Sequence, residues 1–378
     1  MILLNEKNGN PKKIRVLFFI TSLAGGGAEK VVSMLLSALN PKIYDLHLLV
    51  NRNEGPYVDL IPSHVTITEL KSARLRSSLK HIVNELREIQ PDVVISHLWE
   101  INVLTILAKK IGKLKFKTIL CEHSTISRKR FFGANSIRKW AYRDSDIIVG
   151  VSEGLGMEIE HILKVDKKKI RVIYNPVIGN DFAARVKAPC SHPWFQEEIP
   201  VLIGLGRLVP EKRFDLFLEA VKELNNLKIP VRGIILGEGP LRKELENQRD
   251  LLNLNGTIDL LGFVENPLPY LNLGSVFIQT SDYEGLPTAL IEAVACGIKI
   301  VATNTHTGTE EVLENGVHGR IVSRGDLKEI VEQTKELLIK QEWKKTKGLL
   351  IDNSPFSLIK ATNQYSQLIT EVMKADSA

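Results

Sequence analysis

The chain has 378 residues, of which 44% are hydrophobic and 25% charged, a size and composition that fit two globular domains with a core each. No apolar run reaches a membrane span, the N-terminus MILLNEKNGNPKK has no cleavage pattern, and Cys121, Cys190 and Cys296 are widely spaced, so a spanning helix, a secretory signal, a disulfide framework and a zinc site are not expected. The net charge of +6 is uneven, with 29 Lys/Arg against 18 Asp/Glu in residues 1–185 and 21 against 26 in the remainder, which points the first half toward an anionic partner: nucleic acid, a membrane or a phosphorylated substrate.

Short β-branched runs alternate with helical periodicity along the whole chain. IRVLFFI (14–20), YDLHLLV (44–50), DVVISH (92–97), KTILCEH (117–123) and DIIVGVS (146–152) read as strands in the first half, with helices over 28–39 and 78–90. VLIGLG (201–206), VRGIILG (231–237), IDLLGFV (258–264), SVFIQTS (275–281) and IKIVATN (298–304) repeat the pattern. Near-continuous apolar strands alternating with helices imply parallel sheets covered on both faces, hence an α/β chain of two doubly wound Rossmann-like domains. The expected division is 1–186, a proline-containing linker 187–200, 201–355, and a closing helix over 356–378.

Ligands of open α/β sheets bind at the carboxyl ends of the strands, so residues just after strands are the first candidates. Gly25, Gly26 and Gly27 follow the first strand and would let a phosphate approach the next helix, although the spacing lacks a dinucleotide fingerprint. His97 and His123 also follow strands, and His97 reads better as a satisfied structural residue. Asp144-Ser-Asp146 mimics a metal-binding D-x-D, but its place at a helix end suggests capping.

Between Glu122 and Asp144 no acidic residue occurs, while Arg128, Lys129, Arg130, Arg138, Lys139 and Arg143 interleave with Phe131, Phe132, Trp140 and Tyr142. Together with KKIGKLKFK (109–117) this suits an anionic membrane surface, a solvated basic face being the plainer alternative and single-stranded nucleic acid a remote one. The membrane contact is expected at Arg128, Lys129, Arg130, Phe131 and Phe132, with no nucleic-acid partner.

In the second half Arg207 and Lys212 sit at a strand-to-helix junction. Two cations there suit a diphosphate, or else form a solvated turn with Glu211. Pro210 suits the first turn of the following helix. Glu284-Gly-Leu-Pro follows another strand, and Pro287 and Thr288 open a helix whose run ALIEAVA (289–295) holds a single carboxylate, Glu292. A charge in an apolar helix needs partners, because removing an ion from water is costly. Glu292 shares its helix face with Thr288, toward the strand ends.

The ordered motifs G-R-L-V-P-E-K-R (206–213), L-G-E-G-P (236–240), L-G-F-V (261–264), E-G-L-P-T-A-L-I-E (284–292) and E-N-G-V-H-G-R-I-V (314–322) resemble glycosyltransferase family four, of the GT-B fold. The resemblance runs from about Val16 to the C-terminal helix. It implies two domains facing across a cleft, a C-terminal helix closing back toward the first domain, and a retaining sugar transfer from a nucleoside diphosphate.

By the same resemblance Glu292 would bond the ribose hydroxyls, and Glu284 the donor sugar. Gly285, Leu286 and Thr288 would lie near the diphosphate, Arg207 and Lys212 would neutralise it, and Gly206 would let the backbone approach. Phe263 and Val264 would hold the base, with Glu238 beside that pocket. His123 would face the donor sugar, the Gly25–Gly27 loop would lie against diphosphate and acceptor, and Asn175-Pro-Val is a further match without an assigned role.

The expected activity is transfer of a hexose or N-acetylhexosamine from a uridine-linked donor to a lipid-linked saccharide or other glycan during surface polysaccharide assembly. The expected location is the cytoplasmic side of the cell membrane, peripherally bound, with no cofactor and no essential metal. A sugar-nucleotide epimerase of similar fold and a catalytically silent sugar-nucleotide or membrane-binding module are the alternatives.

Overall fold

The computed structural model describes residues 12–72, 78–127, 133–305, 307–344, 351 and 353–374. Two compact units divide the chain: Met1–Val151 with Leu155–Pro176 and Leu358–Ala378, and Ser152–Gly154 with Val177–Ser357.

The first unit is built on a parallel sheet of seven strands, β1 (Ile14–Ile20), β2 (Tyr44–Val50), β3 (Thr66–Glu69), β4 (Val93–His97), β5 (Lys117–Glu122), β6 (Ile147–Gly150) and β7 (Ile170–Val172). Their order is β3-β2-β1-β4-β5-β6-β7. Alternation along β1 decides its packing, since successive side chains point to opposite faces. Val16, Phe18 and Ile20 join one core layer with Leu35, Leu36, Leu368 and Ile369; Leu17 and Phe19 join the other with Ile82, Leu86, Ile101 and Leu104. Both faces are therefore covered, and the strand reads as one apolar run.

The second unit holds six parallel strands, β8 (Val201–Leu205), β9 (Arg232–Leu236), β10 (Ile258–Gly262), β11 (Val276–Gln279), β12 (Lys299–Thr303) and β13 (Arg320–Val322), in the order β10-β9-β8-β11-β12-β13. Helices Phe214–Asn226 and Leu327–Ile339 bury Phe217, Val221, Ile330 and Leu337 against this sheet.

Three strands escaped the sequence patterns: β3, β7 and β13. All three are edge strands of three or four residues, and half-exposed positions break their apolar run. The change of unit falls at Val177, ahead of the expected linker. Residues 187–200 pack within the second unit instead, with Phe195 edge-on to Tyr270 and the Arg232 guanidinium 5.1 Å from the Trp194 ring. Pro210 opens a three-residue turn, Pro210–Lys212, and the helix starts only at Phe214.

The last helix, Leu358–Lys374, belongs to the first unit, where Ala361, Tyr365, Leu368, Ile369 and Val372 are buried. Among the described residues no helix is long and apolar enough to cross a membrane.

Candidate active site

Each sheet reverses its strand order once, at β1/β4 in the first unit and β8/β11 in the second. Loops leaving such neighbouring strands in opposite directions open a crevice at the carboxyl ends, the usual ligand position in this architecture. Gly25–Gly27 and His97 lie at the first switch point, with His123 one strand further. Gly206–Lys212 and Glu284 lie at the second.

Backbone hydrogen bonds lace the second unit's loops together. Gly206 N–H donates to Leu236 O at 3.0 Å, Gly237 N–H to Gly262 O at 2.7 Å, and Leu208 N–H to Glu238 O at 2.9 Å. A Cβ on Gly237, whose φ is +144°, would lie 1.9 Å from Gly206 O, so only glycine fits. The turn L-G-E-G-P is thus more than punctuation, because it lets the ends of β8, β9 and β10 close on one another. Glu238 is exposed and bonded to Arg242 at 2.6 Å, beside Gly262. Phe263 is exposed at 42% and Val264 is half-buried.

Lys212 is fixed from several sides. Its carbonyl accepts from Thr280 Oγ1 at 2.7 Å, Glu211 O accepts from Asp282 N–H at 2.8 Å, and Arg213 pairs with Asp282 at 3.6 Å. The turn after β8 is thereby pinned to the end of β11. The Lys212 side chain lies against Gly206, where an added Cβ would come 3.4 Å from its Cε. Its ammonium meets Glu284 Oε1 at 2.5 Å, and Ser281 Oγ donates to the same oxygen at 2.7 Å. The Arg207 side chain is exposed and carries no ion pair among the described residues.

The Glu284 loop is held from the far side by the segment after β12: Thr307 Oγ1 donates to Glu284 O, and a Cβ on Gly308 would come 2.9 Å from Gly285 O. Gly285 and Leu286 are buried, Thr288 is half-buried, and helix Thr288–Cys296 follows. Glu292 is 5% exposed within that helix.

In the first unit Gly26 caps helix Gly27–Ala38, and a Cβ on Gly26 would lie 2.2 Å from the Glu29 carboxylate. His97 Nδ1 and His123 Nε2 are hydrogen-bonded at 2.9 Å. Burial lowers both rings below the usual imidazole range, His123 to about 4 and His97 well below, the latter further disfavoured by its neighbour. Both are therefore neutral near pH 7. Beside them Glu122 accepts from Arg138 Nη2 at 3.0 Å, Tyr142 Oη at 2.5 Å and Ser124 N–H at 3.1 Å, and all three side chains of Glu122, Arg138 and Tyr142 are 0% exposed.

That network corrects the expected basic surface, since Arg138 and Tyr142 are interior. Ile111, Ile137 and Trp140 are exposed, with Lys110 over the Trp140 ring. Arg128, Lys129, Arg130, Phe131 and Phe132 lie outside the described residues. Asp144 pairs with Lys110, while Asp146 accepts from Thr118 N–H at 2.9 Å and Thr118 Oγ1 at 2.7 Å. The D-x-D look-alike therefore fastens the start of β5, where capping had been expected.

Two family profiles match in tandem, "Glycosyltransferase Family 4" over residues 25–178 and "Glycosyl transferases group 1" over residues 193–348. The chain belongs to glycosyltransferase family four. This transferase is 26% identical over 378 residues to the GalNAc-alpha-(1->4)-GalNAc-alpha-(1->3)-diNAcBac-PP-undecaprenol alpha-1,4-N-acetyl-D-galactosaminyltransferase of Campylobacter jejuni, covering 96% of this chain and 100% of that one. It is 29% identical over 245 residues to an uncharacterized glycosyltransferase of Methanocaldococcus jannaschii, with 61% of this chain spanning 60% of that one. Among solved structures, Anabaena HepE in complex with UDP-glucose aligns with a TM-score of 0.78 at 17% identity, over 95% of this chain and 100% of that chain. The last likeness is one of fold, and the fold is GT-B.

Sequence reading missed several residues that shape the transferase's loops. Ser281 bonds the Glu284 carboxylate, while Thr307 and Gly308 brace its backbone. Ser281 was within reach, three residues before Glu284 at a strand end. Thr307 and Gly308 follow β12, where the strand-end rule also points.

Proposed function

We propose that the transferase moves a sugar from a uridine diphosphate donor, with retention at the anomeric carbon, to a hydroxyl of a lipid-linked saccharide at the inner face of the cell membrane. The observation that carries this is the Lys212–Glu284 pair, 2.5 Å apart at the second unit's switch point. An ammonium suited to a diphosphate stands beside a carboxylate suited to sugar hydroxyls. The UDP-glucose bound by HepE and the undecaprenyl diphosphate acceptor named for the Campylobacter relative support the same choice of donor and acceptor.

In the proposed reaction the bond from the anomeric carbon to the donor diphosphate breaks, and a bond to the acceptor oxygen forms on the same face. The acceptor's proton passes to the departing diphosphate oxygen. Arg207 and Lys212 stabilise the charge that grows there, aided by the N-terminus of helix Thr288–Cys296. With these cations built into the chain, transfer is proposed to need no essential metal. Glu292 is proposed to hold the ribose diol, Phe263 and Val264 the base.

The first unit, whose half of the chain carries the excess of Lys/Arg, is proposed to meet the acceptor and the membrane. The exposed Ile111, Ile137 and Trp140 support that placement.

A thermal-shift panel of uridine, adenosine and guanosine diphosphates, followed by transfer assays with UDP-sugars and polyprenyl-diphosphate saccharides with and without EDTA, tests the proposal. Uridine-selective stabilisation and EDTA-insensitive transfer are expected. Epimer formation without acceptor, or nucleotide binding without turnover on any acceptor, would overturn it.

A further inference from the structure

The end of β11 is a junction at which both halves of the Lys212–Glu284 pair are fastened. Thr280 Oγ1 donates to Lys212 O at 2.7 Å, and Asp282 N–H to Glu211 O at 2.8 Å. Between them Ser281 is 2% exposed, and its carbonyl accepts from Thr303 Oγ1 of β12 at 2.6 Å. With its backbone fixed on that neighbouring strand, the Ser281 hydroxyl donates to Glu284 Oε1, 2.7 Å away. The Lys212 ammonium meets the same oxygen at 2.5 Å.

The loop that carries Glu284 has fastenings of its own within the second unit. Thr307 Oγ1 donates to Glu284 O, Ser152 Oγ donates to Gly285 O at 2.8 Å, and a Cβ on Gly308 would fall 2.9 Å from that same Gly285 oxygen. These contacts set the backbone and leave the carboxylate to its side-chain partners. The two donors on Oε1 differ in how a ligand affects them. An ammonium is a point charge on a flexible four-carbon stem, and a donor diphosphate competes with Glu284 for it. A neutral hydroxyl gains far less from a phosphate, and the buried, braced backbone keeps Ser281 where it is.

We infer that Ser281 is a positioning residue for the transfer: it holds Glu284 Oε1 when Lys212 turns to the donor diphosphate, so that the carboxylate stays aimed at the sugar. The Lys212–Glu284 ion pair is then a resting arrangement, in which the two charges offset each other until the donor arrives and the ammonium changes partner. Without the hydroxyl, the incoming phosphates would push the carboxylate aside, since like charges repel at short range. The use of the Ser281 bond rests on the sugar-transfer reading, whereas the bond itself does not.

A double-mutant cycle in urea unfolding of the ligand-free protein reads the bond without any reaction. Ser281→Ala and Glu284→Ala are expected to cost less together than the sum of their separate losses, and additive losses would overturn the inference. Kinetics with UDP-sugar and acceptor reads the use of the bond. Ser281→Ala is expected to lower kcat about tenfold while the Kd of bare UDP stays within about threefold. Ser281→Thr, which keeps the hydroxyl, is expected to recover most of that loss. A parental kcat in Ser281→Ala would overturn the inference, and so would a UDP affinity that falls as far as kcat, the mark of a damaged loop. A Thr variant of unchanged Tm that stays as slow as Ala would also overturn it. Where Thr lowers Tm, the unfolding cycle and the split between kcat and Kd decide. If the cycle is coupled but the parent turns over no UDP-sugar on any acceptor, Ser281 still holds Glu284 and the transferase proposal fails instead.

Discussion

At the residue scale the two glutamates of the 284–292 motif differ in setting. Glu284 is paired with Lys212 and Ser281 at a loop, while Glu292 is 5% exposed inside an apolar helix. Glu292→Gln keeps the shape and removes the charge proposed to bind the ribose. The expected cost is about 1.5–3 kcal/mol of nucleotide affinity, roughly a 10- to 150-fold rise in the Kd of UDP by calorimetry. Glu284→Gln should leave bare UDP binding within about threefold while cutting turnover, because its part is to orient the reacting sugar. Parental UDP affinity in Glu292→Gln would remove the ribose assignment. Both glutamates, and likewise Gly206 and Lys212, were legible because each pair falls within a single motif, 284–292 and 206–213. Ser281 and Thr307 lie just after strand ends, but the Glu284 carboxylate and carbonyl they bond are contacts only the fold supplies.

At the element scale the helix Ala134–Arg143 shows how a charged segment is misread. It looks like a basic solvated face, yet Arg138 is wholly interior and bonded to Glu122 of β5, sixteen residues away. Breaking a buried pair strands the remaining charge. Arg138→Met is therefore expected to lose about 3–5 kcal/mol in urea unfolding, and Glu122→Gln with Arg138→Met to recover part of it. Purely additive losses would mean the pair is not coupled. The C-terminal helix is the converse case: its apolar spacing was readable from the residues, while its return to the first unit was implied only by the family resemblance. Ile369→Ala, at a 0% exposed position in the first unit's core, should cost about 2–5 kcal/mol.

On the scale of the whole molecule, acidity reports the buried histidines. In the unfolded chain they take up protons near pH 6.5, whereas in the fold His123 is lowered to about 4 and His97 well below its ordinary range, because burial disfavours the charged ring. The unfolded state therefore binds more protons between those values. Stability is expected to be complete above about pH 6.5 and to fall as pH drops toward 4, by up to about 1.4 kcal/mol per unit for each ring. Urea midpoints measured from pH 7 to 4 check this, and His97→Asn with His123→Gln should flatten the decline. An unchanged slope in that variant would show that other groups dominate. The uneven charge belongs to this scale as well. Replacing Arg128, Lys129 and Arg130 by Ser should weaken binding to anionic vesicles and leave the remainder less salt-sensitive. Equal binding at low salt would remove the membrane proposal.

What the sequence determined by itself was periodic or local: two parallel sheets from alternating apolar runs, glycines where backbones meet, and a family resemblance from motifs in a fixed order. Both kinds of signal lie within a few residues of each other, where backbone geometry rules. The tertiary structure decided what depends on distant segments meeting. The edge strands β3, β7 and β13 are too short to show a pattern and exist because a neighbour supplies the other half of their hydrogen bonds. The unit boundary at Val177, the interior Arg138 and the His97–His123 contact follow the same rule. Each is a packing decision in which burial free energy, spread over contacts far apart in the chain, outweighs what the local residues prefer.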